Sequence, residues 1–103
     1  MNQIEVLASL WVDPERIPAF EAYERKAARI MARHGGIMER TIRCAQPAGA
    51  TGPFEIHLLR FPDAAAFDRY RADPELARLS AEREHAIVRT EAVVGTAGPA
   101  NGA

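Results

Sequence analysis

The chain has 103 residues, the length of one domain that buries roughly 65% of its unfolded surface. Thirteen Lys and Arg against fourteen Asp and Glu leave a net charge of −1, so no basic excess points to nucleic acid and no basic block to an anionic membrane. The single Cys44 excludes an intramolecular disulfide and a cysteine zinc site, and the N-terminus shows neither a charged segment followed by an apolar run nor a membrane span, which reads as cytoplasmic.

Residues Ile4 to Val12 alternate as a strand. Ile4, Val6, Ala8 and Leu10 form a purely apolar set that should face helices; Glu5, Leu7, Ser9 and Trp11 form a mixed set suited to a partner surface. Asp13-Pro14 is a helix-start signal, with regular helix expected from Ile17 or Pro18. Phe20, Tyr23, Ala27, Ile30, Met31 and His34 then recur on one helical face. Glu21, Glu24, Arg25, Arg29 and Arg33 are expected mostly off it. Gly35-Gly36 stops the helix. A second strand is expected over Ile37–Cys44, a hairpin loop over Ala45–Pro53, and a third strand over Phe54–Phe61. In that strand Phe54, Ile56 and Leu58 oppose Glu55, His57, Leu59 and Phe61. Asp63 caps a second helical region carrying Phe67 and Tyr70. Asp73-Pro74 breaks it and starts a further piece to about Glu84, with Leu76 and Leu79 inside. Ile87 to Val94 is the last strand, residues 1–96 form the domain, and residues 97–103 read as a disordered tail.

The order strand, helix, strand, strand, helix, strand predicts an α+β, ferredoxin-like βαββαβ fold: a four-stranded antiparallel sheet with the helices on one face. The other face is expected to carry Leu7, Trp11 and Leu59, with Met38 and Phe61 as further candidates. A patch of that kind is unusual on a monomer, so the chain is expected to pair with itself as a homodimer. An RNA-binding sheet of the same element order would need a basic field, which the charge balance denies it.

The segments Phe20-Glu-Ala-Tyr-Glu24, Ile30-Met-Ala-Arg-His-Gly-Gly36, Phe61-Pro-Asp-Ala-Ala-Ala-Phe67, Tyr70, Asp73-Pro-Glu-Leu76, Arg83 and Val93-Val-Gly95, in this order, resemble the domain-of-unknown-function 1330 family. That family belongs to the dimeric α/β-barrel superfamily, and the resemblance runs from about Ile4 to Gly95. It implies a dimeric α/β barrel. The superfamily's members include cofactor-independent monooxygenases, haem-degrading enzymes, isomerases and non-catalytic dimers, so fold alone does not choose among them. The sequence departs from the family at Ile37-Met38-Glu39, ahead of Arg40, where an aromatic residue is common. It departs again at Asp73-Pro74, where a Ser-Pro turn is usual.

His57 is the candidate catalytic residue, since imidazole exchanges protons near neutral pH. It is expected on the strand face that meets the partner. Trp11, Tyr23, Arg40 and Arg89 are candidate ligand-binding residues: the aromatics to flank a ring, the guanidiniums to fork onto an acidic oxygen. The competing readings are core packing for Tyr23 and ion pairs with Glu5, Glu39, Glu55 or Glu91 for the arginines. His34 is expected to meet the helix C-terminal dipole, and His85 to be exposed. No metal-ligand spacing, phosphate loop or dinucleotide fingerprint occurs, so no metal or cofactor is expected. Three functions remain open: a barrel binding a small organic molecule between sheet and helices, a cofactor-independent monooxygenase or isomerase, and a non-catalytic dimeric module.

Overall fold

A computed structural model describes residues 3–99. Strand β1 (Ile4–Val12) leads through a single 3-10 turn (Pro14–Arg16) to helix α1 (Ile17–Arg33). Asp13 caps that turn, its side chain accepting from the Glu15 N–H at 2.9 Å, as an oxygen before proline does. Strands β2 (Ile37–Arg43) and β3 (Glu55–Phe61) follow as a hairpin. Helices α2 (Ala64–Arg71), α3 (Pro74–Ala77) and α4 (Ser80–Ala86) then lead to β4 (Ile87–Gly95). Asp63 and Asp73 cap α2 and α3 by accepting from the N–H groups of Ala66 and Glu75, each at 2.8 Å. The break at Asp73-Pro74 falls where it is expected, and the piece that follows is itself interrupted between Ala77 and Ser80. Residues 97–99 have no regular structure, and the rest of the expected tail lies outside the described residues.

The sheet order is β2-β3-β1-β4, with every adjacent pair antiparallel, which is the ferredoxin-like arrangement. Register decides what each residue faces, because cross-strand partners share a side. Ile4, Val6, Ala8 and Leu10 stand opposite Phe61, Leu59, His57 and Glu55. The apolar set of β1 packs under the helices as expected, with Ile4, Val6 and Leu10 all buried. The whole His57 set of β3 must therefore point the same way.

This corrects the sequence reading of the third strand. Phe61 and Leu59, and Met38 opposite Leu59, belong to the helix-side core and not to the partner face. Phe61 is fully buried, with the Phe67 and Tyr70 rings 5.1 and 5.6 Å away, a spacing at which aromatic pairs attract. Alternation was ambiguous here because both sets of the strand carry apolar residues.

The exposed sheet face holds Leu7, Trp11, Ile37, Ile42, Ile56, Leu58 and Val93 instead. Leu7, Ile37, Ile42 and Val93 are 43%, 48%, 47% and 67% exposed.

The end of α1 fixes where β2 begins. Gly35 adopts φ of +75°, the left-handed conformation that glycine takes without a Cβ penalty. Its N–H bonds Ala32 O at 3.1 Å, and that of Gly36 bonds Met31 O at 3.0 Å. His34 occupies the cap, but its Nε2 sits 2.7 Å from Asp73 Oδ2. The side chain expected to meet the helix dipole thus ties the end of α1 to the start of α3.

Candidate functional site

Sheet and helices do not close completely. A cavity of about 380 Å³ lies between them, large enough for a small organic molecule. Its origin is in the small residues: Ala8 and Ala92 are paired across β1 and β4, and Ala27 and Ala28 look down from α1, so neither layer has bulk to reach the other. Met31, Met38, Leu59 and Phe67 complete an apolar wall.

Few polar groups converge on this space. His57 is buried among them, with the Phe20 ring stacked beside it at 6.4 Å. Both its nitrogens face carboxylates: Nδ1 lies 3.1 Å from Glu24 Oε1 and Nε2 lies 3.7 Å from Glu55 Oε2. Glu55 is itself buried and lies 3.5 Å from Arg43, which reaches out to the exposed Glu21. Burial pushes the Glu24 carboxyl up to about 7, with the charge of Glu55 adding to the rise and Arg83 opposing it. Burial also lowers the His57 imidazole below its ordinary value, against the pull of Glu55. Tyr23 and Tyr70, both lining the cavity, are held in the phenol form by desolvation.

These shifts leave one mobile proton on a neutral imidazole and a carboxyl that titrates near neutrality. With Glu24 protonated, its O–H donates to Nδ1 and the Nε2–H points to the Glu55 carboxylate. With Glu24 ionised, Nδ1–H donates to it instead. The Glu24–His57 contact keeps donor matched to acceptor in both states, while in the ionised state Nε2 carries no proton for Glu55.

Of the residues singled out from sequence, His57 and Tyr23 meet at the cavity. His57 does so on the helix side of the sheet, not on the partner side as expected. Trp11, Arg40 and Arg89 are not among its lining residues. The odd-numbered residues of β1 face away from the helices, so Trp11 lies on the open face. There Arg89 stacks over its ring at 4.5 Å and contacts Glu91. Arg40 pairs with Leu58 on that same face and is exposed. His85 is exposed against Arg16, as expected.

Glu24 was expected off the apolar face, yet it lies four residues after Phe20 and three before Ala27, on the edge of that stripe. That spacing was the available signal. Arg83 and Thr90 gave none from position alone. Among the described residues, no group of three or more His, Cys, Asp or Glu side chains is placed to hold a metal ion. No helix among them is long and apolar enough to cross a membrane.

Comparison with known proteins agrees with this architecture. Residues 7–97 match the family described as Domain of unknown function (DUF1330). The chain belongs to the DUF1330 family. No curated protein matches it. Among solved structures, it is similar to the RPA0582 protein of unknown function from Rhodopseudomonas palustris (TM-score 0.79, 17% identity, 95% of this chain and 84% of that one). It is similar also to SnoaB, a cofactor-independent oxygenase from Streptomyces nogalater (TM-score 0.75, 16% identity, 100% of both chains). A third likeness is to a dabb family protein with a ferredoxin-like fold from Mesorhizobium loti (TM-score 0.66, 15% identity, 96% of this chain and 100% of that one). Identities this low speak to fold, and the shared fold is the ferredoxin-like one.

Proposed function

We propose that this DUF1330 protein binds a small, mostly apolar organic molecule between sheet and helices and exchanges a proton with it through Glu24, backed by His57. The observation that carries this reading is the His57–Glu24 contact of 3.1 Å at an apolar cavity. A carboxyl ionising near neutral pH combines the right protonation state with driving force for transfer. His57 Nδ1 takes the received proton from Glu24 and so returns it to the carboxylate, and Glu55 orients the ring. Abstraction of a proton from an acidic C–H or O–H gives a carbanion or oxyanion. Isomerisation returns the proton elsewhere; cofactor-independent oxygenation passes the electrons to dioxygen. The two reactions are continuations of one step, and the site supports that shared step.

The test is occupancy first. Naphthalene, an apolar probe, should raise the melting temperature of the wild-type protein by mass action. Ala8→Phe fills the cavity from the β1 side and should abolish that rise while leaving the far-ultraviolet circular dichroism unchanged. A wild-type protein indifferent to naphthalene would remove the cavity from the reading.

The open sheet face supports a second copy of the chain as its cover. Leu7, Ile37, Ile42 and Val93 are each about half exposed or more. Burying the remainder gains on the order of 1 kcal/mol apiece, counted twice in a twofold contact. With Trp11, Ile56 and Leu58 added, the sum is comparable with the roughly 4–15 kcal/mol that association costs. Sedimentation velocity at micromolar concentration should give a dimer for the wild type and a monomer for Leu7→Lys, which places charge at the centre of the face. A wild-type monomer under those conditions refutes the homodimer.

A further inference from the structure

Arg83, on α4, is the cation that looks into the cavity with its charge uncommitted. Its Nη2 donates to Thr90 Oγ1 at 2.7 Å, and Tyr23 lines the same space beside it. Both are neutral. The nearby carboxylates are occupied elsewhere, Glu24 by His57 and Glu55 by His57 and Arg43. A guanidinium has five N–H donors, and this one is half-buried at the edge of an apolar space. A charge partly out of water gains most from an anion that arrives with the ligand.

The other charged group beside the same space is a proton acceptor, Glu24, whose ionisation Arg83 is close enough to influence. A permanently charged carboxylate ligand would satisfy Arg83 but give Glu24 nothing to accept, and its charge would add to that of Glu24. A weakly acidic hydroxyl satisfies both. It enters the apolar cavity neutral, and its charge appears only where a cation waits for it.

Resting on the cavity reading above, we propose that the ligand is an otherwise apolar enol or phenol, with Arg83 holding the oxygen that loses its proton and Glu24 receiving that proton. The O–H bond of the ligand breaks and a Glu24 carboxylate O–H forms. The electron pair stays on the ligand oxygen as enolate or phenolate, and Arg83 carries its charge by a charge-assisted hydrogen bond. Thr90 is a positioning residue, since it binds the guanidinium from β4. This assigns specificity to α4 and β4 and leaves the His57–Glu24–Glu55 line with the proton.

The probe is 4-nitrophenol, whose phenol and phenolate absorb at different wavelengths. At a pH where the free probe is mainly phenol, adding wild-type protein should produce the phenolate band, and Ala8→Phe should prevent it. Arg83→Met should weaken binding roughly 10- to 100-fold, as the loss of a hydrogen bond to a charged group does, and remove the band. Naphthalene should still raise the melting temperature of that variant. Arg83→Lys, which keeps the charge without the fork, should retain part of the band and serves as the deciding variant if Arg83→Met no longer takes naphthalene.

Bound 4-nitrophenol that stays in the phenol form while naphthalene binds overturns the substrate class and leaves the cavity reading standing. So does Arg83-dependent binding of 2-naphthoate in preference to 4-nitrophenol. If neither naphthalene nor 4-nitrophenol binds the wild-type protein, the cavity reading falls and this inference with it.

Discussion

Replacing Gly36 by alanine is expected to cost about 3 kcal/mol, at the upper end of what overpacking a core does, and to lower the melting temperature by roughly 12–24 °C for a domain of this size. The φ angle is not the reason, since the left-handed turn belongs to Gly35. Space is. A Cβ at Gly36 would stand 2.4 Å from Met31 Cγ and 2.6 and 2.8 Å from Cε2 and Cζ of Phe61. Methionine can yield by rotating its flexible chain. The Phe61 ring cannot, being fully buried with Phe67 and Tyr70 against it.

The same contact makes the result checkable beyond a single number. Phe61→Leu alone should destabilise by loss of ring packing. In the double variant the clash with the ring is gone, so the two costs should fall short of additive by more than 0.5 kcal/mol in a urea-denaturation cycle. Additive costs would mean that Gly36 matters through the chain conformation and not through Phe61. The loss also reaches the site, because Met31 and Phe67 line the cavity and Gly36 immediately precedes the strand that carries Met38, another lining residue.

The sequence carried the architecture because its strongest local signals were consistent with one another. Asp before Pro, or at an extended cap, opens three helical segments, and Gly35-Gly36 closes one. The pure apolar set of β1 could face only the helices. In β3 the same logic had no purchase. Leu58 and Leu59, Ile56 and Phe61 put apolar side chains on both sides, so only the pairing register with β1 decides. That register is a long-range fact, set by the antiparallel match of Ile4 with Phe61 and Leu10 with Glu55. Once it is fixed, His57 is carried from the open face to the helix side.

The cavity was illegible for a related reason. Ala8, Ala27 and Ala92 are unremarkable one by one in sequence, and only their superposition in three elements leaves a void. Glu24 marked the site's edge by its spacing within α1, but a carboxylate on the border of an apolar stripe ordinarily turns outward to water. Here His57 gives it a reason to turn inward.

Glu24→Gln is expected to become progressively more stable than the wild type as pH rises from 5 to 8, the gap widening by roughly 2–3 kcal/mol. The sign follows from the direction of the shift. The folded protein holds the Glu24 carboxyl at about 7, against an ordinary 4.5, so the folded state binds the proton more tightly than the unfolded chain does. Stability from that proton is fully present below about 4.5 and is lost as pH climbs through 7, where the group must ionise beside apolar side chains and Glu55. Glutamine cannot ionise, so the variant escapes the loss.

His57 works in the other direction. Its imidazole is lowered by burial, so its contribution is present above the ordinary 6.5 and declines as pH falls through the folded-state value. In the wild type the two slopes oppose one another, so a stability profile of that protein alone shows only their difference. The difference between wild type and Glu24→Gln separates them, because His57 is present in both. Urea denaturation at pH 5 and pH 8 measures that difference. A gap independent of pH would mean that Glu24 ionises as it does in water, and a carboxyl of that kind is too weak a base near neutrality to take the proton assigned to it.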